Sequence, residues 1–166
     1  MIDETRIQLS LFQVLSKRGH VAIIPNVSWS WLQWEADLIS VTKAGVMHEY
    51  EIKITLSDFK ADFGKRKHAM ITRPPYGRKP NYFWFVAPEP EVPICIPDYA
   101  GLIVVEPVSR HAIGHRLVTV RKARKLHGEK TGDRAVMKML RTMMYKYWNA
   151  MKMLDQTKIQ TELFRR

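Results

Sequence analysis

Behind Asp3, apolar Ile7, Leu11, Val14 and Leu15 recur at three- and four-residue intervals. That spacing predicts a capped helix running to about Arg18 and closed by Gly19. The period then shortens. HVAIIPNV reads as a strand, and WLQWEADLISVTKAGVMHEYEIKIT reads as two strands joined at KAG. Ser57 has the chemistry of an N-cap for a helix through about His68. ITRPPYGRKPN, rich in proline, is a loop, and YFWFVA and GLIVVE are strand-length apolar runs separated by PEPEVPICIPDYA. HRLVTVRKARK predicts a last strand, and the chain from Gly132 to about Leu154 predicts a long helix. Helix, strands, helix, strand, strand, helix is a mixed α/β order with one central sheet. We expect a single domain over 1–166, with its core in about 3–121 and a basic C-terminal strand and helix in about 115–154.

Charge adds a direction that the apolar pattern lacks. The chain carries a formal net charge of +11 over 166 residues, which points to a polyanionic partner, with nucleic acid the commonest. Residues 1–56 hold 5 basic and 6 acidic residues, 57–109 hold 7 and 6, and 110–166 hold 15 and 4. The whole excess therefore sits in the last third. A chain made soluble by its charge would show the same total. One cysteine, Cys95, excludes an internal disulfide and a multi-cysteine zinc site. No apolar run reaches the ~20 residues of a membrane span, and MIDETRIQLS has acids where a secretory signal has basic residues. The expected compartment is the cytosol, with no membrane partner.

Chemistry concentrates in the predicted hairpin. Residues two apart on a strand share a face, so Glu49, Glu51 and Lys53 project together, and Glu35 and Asp37 do so on the preceding strand. Pairing around KAG would bring Asp37 beside Glu51. Two adjacent carboxylates repel and raise each other's pKa unless a cation joins them. Mg²⁺, with Mn²⁺ as its substitute, would take oxygen ligands from both. Lys53 beside them would orient a water or stabilise charge on a phosphate. A solvated hairpin of mixed charge fits the same residues.

The stretch EADLISVTKAGVMHEYEIKIT resembles the Asp…Glu-x-Lys signature of the PD-(D/E)XK nuclease superfamily. EYEIKITLSDFKADFGKRKH, PNYFWFVAPE, IPDYAGLIVVE and RKARKLHGEK, in that order, resemble a group of small phage and bacterial nucleases within it, including the MmcB-type DNA repair proteins. The resemblance spans roughly residues 35–130. It implies a restriction-endonuclease-like core, a mixed sheet flanked by helices, and metal-dependent cleavage of DNA, rather than RNA, in repair, recombination or phage DNA processing. It further implies Asp37, Glu51 and the Ile52 carbonyl as metal ligands and Lys53 as the catalytic lysine. Glu4 on the first helix would be an additional ligand, with Glu35 as an accessory acid. Ala36 precedes Asp37 where the signature carries proline. A module that keeps the fold without catalysis, binding nucleic acid or serving in assembly, is the alternative.

The remaining signals concern binding. Arg73, Arg78 and Lys79 in RPPYGRKPN, with Tyr76 between them, are candidates to close over a DNA backbone. Arg121, Lys122, Arg124 and Lys125 form the densest basic run, suited to phosphate contact. Trp29, Trp31 and Trp34 would stack on bases or pack a sheet edge. His111 and His115 have metal-like spacing but no accompanying acid. Val136, Leu140, Met143, Tyr147, Met151 and Leu154 form one stripe on the last helix, expected to pack on the sheet, with a homodimer or partner surface as the other use.

Overall fold

The computed structural model describes the chain except residues 1, 28–31, 33, 77, 90–94, 107–114 and 164–166, and describes the backbone alone over 158–163. Trp29, Trp31 and His111 lie outside the described residues. The elements follow in the order α1 (Glu4–Lys17), β1 (His20–Val27), β2 (Ala36–Thr42), β3 (Met47–Ile52), α2 (Leu56–Phe63), α3 (Arg66–Ile71), β4 (Tyr82–Pro88), β5 (Ala100–Glu106), β6 (Arg116–Arg121) and α4 (Asp133–Leu163). The α/β expectation holds. Asp3 caps α1 by accepting the Arg6 N–H at 2.9 Å, and Gly19, at φ 76°, follows its end.

All six strands form one mixed sheet in sequence order. The pairs β1–β2, β2–β3 and β5–β6 are antiparallel, whereas β3–β4 and β4–β5 are parallel. Parallel neighbours require a crossover, and α2 and α3 provide it between β3 and β4. Strands β4 and β5 are buried along most of their length, which explains why YFWFVA and GLIVVE are continuous apolar runs without alternation. Alternation elsewhere sorts side chains to two cores. Leu38, Tyr50 and Ile52 join Val86, Ile103 and Val105 under the Ile7, Leu11 and Leu15 face of α1. On the other face, Ile39, Val41, Met47, Phe83 and Phe85 pack with Phe59, Ile71 and Met139 from α2, α3 and α4.

The middle helix departs from expectation. Its cap is Thr55, whose Oγ1 accepts the Asp58 N–H at 3.2 Å, and Ser57 lies exposed within the first turn. The helix also does not continue to His68: α2 stops at Gly64, and Lys65 in extended backbone starts α3 in a new direction. Among the described residues, the apolar contacts of α4 with the core come from its first half. Met139 is buried and Val136 and Met143 pack on the core, but Leu140, Tyr147, Met151 and Leu154 are exposed. The stripe expected to pack therefore divides between two faces of the helix. No helix among the described residues is long and apolar enough to cross a membrane.

Buried Asn81 ties the two ends of the sheet's second half together. Its Oδ1 accepts the Met47 N–H at 2.7 Å, and its Nδ2 donates to the carbonyls of His127 and Glu129 at 3.1 and 2.7 Å. The extended segment after β6 is thereby fastened to the start of β3. Replacing Asn81 with alanine leaves one buried N–H and two part-buried carbonyls without that partner. We expect Asn81→Ala to lower stability by about 3 kcal/mol, read as a lower urea midpoint with an unchanged slope.

Candidate active site

The register of the first hairpin sets the site. Leu38 pairs with Tyr50 and Ile39 with Glu49, so Asp37 and Glu51 fall side by side at the next step, on the face opposite α1. Asp37 Oδ2 accepts the Ile52 N–H at 2.7 Å, which fixes its carboxylate to β3. Burial pushes the Asp37 carboxyl up and Glu4 adds to that, against the Ile52 N–H and the charges of Lys53 and Lys67.

Glu51 is 2% exposed, and both its oxygens meet ammonium groups. Lys53 Nζ lies 2.5 Å from Oε1 and Lys67 Nζ 2.5 Å from Oε2. Burial raises the Glu51 carboxyl although Lys67 and Lys53 oppose it. Beneath these lysines sits Asp62 of α2, fully buried. Its Oδ1 is 2.7 Å from Lys65, 3.3 Å from Lys53 and 3.6 Å from Lys67. Its Oδ2 lies 2.6 Å from His68 Nε2, and His68 Nδ1 lies 2.5 Å from the Tyr99 hydroxyl. Burial pushes the Asp62 carboxyl up, but His68 and the three lysines together outweigh it and hold it well below the usual carboxylate range. Lys53, although desolvated, is pushed up by its pairing with Glu51, with Asp62 and Asp37 adding to this.

The hairpin thus places Asp37, Glu51 and Lys53 together, as the parity of the sequence implies. Glu4 is exposed and accepts from Gln8 Nε2 at 2.9 Å, and the same Nε2 reaches the Asp37 carbonyl at 3.0 Å and Asn26 Oδ1 at 2.9 Å. It is therefore joined through Gln8 to the Asp37 backbone carbonyl and not to the carboxylates of the cluster. Glu35 is exposed and shares a cavity of about 270 Å³ with Asn26, Val27, Ala36 and Asp37. Glu49 is not part of the polar rim. It is fully buried, Trp34 Nε1 donates to its two oxygens at 2.9 and 3.1 Å, and burial pushes its carboxyl up to about 8. Trp34, at 5% exposure, is accordingly a core residue and not a base-stacking platform.

Asp62, Lys65, Lys67, His68 and Tyr99 are not marked by the sequence pattern. Lys65 stands three residues after Asp62, the spacing of helical neighbours, and that is the one signal the pattern offers. A helix continued through His68 hides Lys67, because only the break at Gly64 turns its ammonium inward.

Two of the basic candidates have other work. Lys79 is 4% exposed and donates from Nζ to the carbonyls of Met70, at 2.6 Å, and Arg73, closing the loop that contains them. Burial lowers its pKa. Arg121 donates to the carbonyls of Ile96, Pro97 and Ala100. Each has carbonyl acceptors within the fold and fastens a loop. Arg73, Arg78, Lys122, Arg124 and Lys125 are exposed. Tyr76 stacks on His127 with ring centroids 4.8 Å apart. His115 donates its N–H to Ser10 Oγ at 3.0 Å.

No group of three or more His, Cys, Asp or Glu side chains among the described residues is arranged to hold a metal ion. The donor chemistry at Asp37 and Glu51 nevertheless suits Mg²⁺, which binds through one or two carboxylates and completes its shell with water and substrate phosphate. Any ion would share Glu51 with Lys53 and Lys67.

No protein-family profile and no curated protein sequence matches this chain. The fold is similar to that of a protein of unknown function from Silicibacter pomeroyi, 16% identical, with 92% of each chain covered and a TM-score of 0.63. That likeness concerns the fold alone.

Glu49 gives a pH test. Its folded pKa of about 8 lies above the ordinary 4.5, so the folded state holds the proton more tightly than the unfolded chain. This contribution is fully present below 4.5 and is lost as pH rises toward about 8. Across that window, urea unfolding should show wild type losing more stability than Glu49→Gln, which has no proton to release. Equal slopes for the two proteins would remove the assignment.

Proposed function

We propose that this chain is a metal-dependent nuclease that hydrolyses phosphodiester bonds of DNA, acting in repair, recombination or phage DNA processing. The observation that carries the reading is the convergence of Asp37 and Glu51 on one face, with Lys53 Nζ 2.5 Å from Glu51. The helix, three-strand meander, helix and parallel strand from α1 to β4 agree with the restriction-endonuclease-like core that the sequence resemblance implies. Basic residues outside the cluster supply the means to hold a polyanion.

In this reading Asp37 and Glu51, with the Ile52 carbonyl, would hold Mg²⁺ or Mn²⁺, and Glu4 and Glu35 would serve as the additional and accessory acids. When bound, the ion supplies positive charge at the phosphate and acidifies water. Asp37 keeps its orientation through the Ile52 N–H. Lys53 presents an ammonium, held charged by Glu51 and Asp62, to the negative charge that grows on the phosphate oxygens in the transition state. Asp62 positions the lysines and is itself fixed by His68 and Tyr99. Arg73, Arg78, Lys122, Arg124 and Lys125 contact the backbone of the nucleic acid without reading its sequence.

A second reading has an observation of its own. Both Glu51 oxygens are already matched by ammonium groups, which is how a cluster without a metal would be balanced. On that reading the chain binds nucleic acid or serves in assembly without cutting.

Labelled duplex, single-stranded and branched DNA, and RNA, incubated with Mg²⁺ or Mn²⁺, separate the two. The nuclease reading expects metal-dependent cleavage of DNA. It also expects Lys53→Ala to lower the rate by at least ~100-fold while affinity measured in EDTA changes little, because one ammonium among many adds little to ground-state binding. Asp37→Asn should likewise stop cleavage with affinity unchanged or tighter, since it removes a negative charge near the phosphate. Circular dichroism establishes that each variant is folded. Wild type that leaves every substrate intact with both metals, or folded Lys53→Ala that cuts at the wild-type rate, would overturn the enzyme reading.

Binding has a separate readout. Replacing Lys122, Arg124 and Lys125 with glutamine should weaken DNA binding and flatten its dependence on log salt by about 0.9 for each phosphate no longer neutralised, measured by fluorescence anisotropy. The same change at Lys79 or Arg121 should instead lower thermal stability.

A further inference from the structure

The outer face of α4 carries an apolar seam that the molecule does not cover. Met137, Leu140, Met144, Tyr147, Met151 and Leu154 follow each other at intervals of three, four, three, four and three residues. All six are exposed, from 39% to 64%. The spacing is that of the a and d positions of a heptad, which on a helix collects into one seam. The seam is distinct from the surface that docks on the sheet, where Val136, Met139 and Met143 pack. It runs for about 27 Å along the helix. Six large apolar side chains in register on one exposed face are unusual for a monomer.

We propose that this seam joins two copies of the chain through an antiparallel pair of α4 helices. Antiparallel a and d positions face each other, so Met137 meets the partner's Leu154, Leu140 meets the partner's Met151, and Met144 meets the partner's Tyr147. All six positions are then matched and none is left over. The flanking charges select this direction. Arg134, Arg141, Trp148 and Asp155 occupy the e positions beside the seam, and in this register Arg134 falls beside the partner's Asp155. Arg134 and Asp155 are both exposed, and neither forms an ion pair among the described residues. A parallel pair gives these two charges no opposite partner within the helix, because the g position facing Asp155 is Ala150 and the one that would face Arg134 precedes Asp133, where α4 begins. The second copy is thus selected by register and charge together. Twofold symmetry uses the same surface on both chains and closes the assembly at two.

The antiparallel direction also gives a use to a second feature. Beside Met143 lies an apolar groove of about 390 Å³, lined by Leu9, Phe12, Ile23, Pro25 and Leu38 together with Thr5 and Gln8. In the paired arrangement the C-terminal half of the partner's helix runs past Met143, with the partner's Ala150 nearest, along the mouth of this groove. Leu9 and Phe12, 53% and 52% exposed, would be covered as well. The inference is independent of the nuclease reading.

Sedimentation velocity of the full chain, free of nucleic acid, over low to high micromolar concentration tests the proposal. Wild type should approach twice the 19.4 kDa of one chain. Met144→Glu, at a position already exposed in the single chain, should keep its circular dichroism and remain monomeric, with a dissociation constant raised at least ~tenfold. Arg134→Asp and Asp155→Arg should each weaken the dimer by placing like charges together, and the double exchange should restore it. Wild type that stays monomeric throughout, or a dimer indifferent to Met144→Glu, overturns the proposal. A dimer that both single exchanges weaken and the double exchange does not rescue overturns the antiparallel pairing. A monomer that binds phosphatidylglycerol vesicles through Met144 would give the seam to a lipid surface and overturn it equally.

Discussion

A carboxylate with no exposed surface, Asp62, organises the polar half of this molecule. Burying one unpaired charge is prohibitively costly, and a buried pair is tolerated only when every lone pair and proton finds a partner. Asp62 approaches that condition, with His68 hydrogen-bonded to one oxygen and Lys65, Lys53 and Lys67 placed around the other as ion pairs. The arrangement constrains the backbone around it. Phe59 must reach the core while Asp62, three residues on, faces Lys53 at the end of β3. The chain must then break at Gly64 so that Lys67 can turn back to Glu51. Such a cluster is weak as a source of stability, since apolar residues of equal size would often do as well. Its worth lies in holding several charges at fixed positions beside an open carboxylate.

Those positions explain why part of the site was legible in the sequence and part was not. Strand parity and one hairpin turn suffice to bring Asp37 beside Glu51, because each depends only on neighbouring residues. Gly45 lies in the turn at φ 74°, a conformation glycine adopts readily, and Thr42 accepts its N–H at 2.9 Å. The partners of Glu51 depend on where α3 points, and that follows from a helix break set by tertiary packing. Thr55 won the cap from Ser57 for a related reason. Both hydroxyls can cap, but Thr55 holds the extended backbone that a cap requires, at φ −132° and ψ 157°.

The basic residues divide by the same logic. Composition assigns charge to a region but not to a side of the chain. Lys79 and Arg121 each reach back to carbonyls at the ends of neighbouring elements, Lys79 at the end of α3 and Arg121 at the entry to β5. Arg121 does this for the turn entering β5, where the backbone runs close to a neighbouring ring. A Cβ on Gly101 would come within 2.3 Å of the Trp84 ring, so this stretch cannot relax toward another donor. Exposed neighbours such as Lys122, Arg124 and Lys125 lack these acceptors and keep their charge for solvent or a ligand. A count of basic residues therefore overstates the surface that can meet a polyanion.

Helix α4 is linked to the acidic end of the hairpin despite its distance in sequence. Lys146 Nζ donates to the carbonyls of Pro25 and Asn26 at 2.7 and 2.6 Å. Asn26 holds a left-handed backbone at φ 51°, an unfavourable conformation for most residues but tolerated by asparagine. Its side chain accepts from Gln8, which also reaches Glu4 and the Asp37 carbonyl. A continuous set of hydrogen bonds thus runs from the middle of α4, through the strained end of β1, to the backbone of Asp37. Gln8 Nε2 shares its two hydrogens among these three acceptors, and the links at Glu4 and Asn26 are open to solvent. A shift of α4 on β1 would act first on Asn26, and through its side chain on Gln8. This gives the last helix a structural claim on the position of Asp37 that is independent of the basic charge it carries.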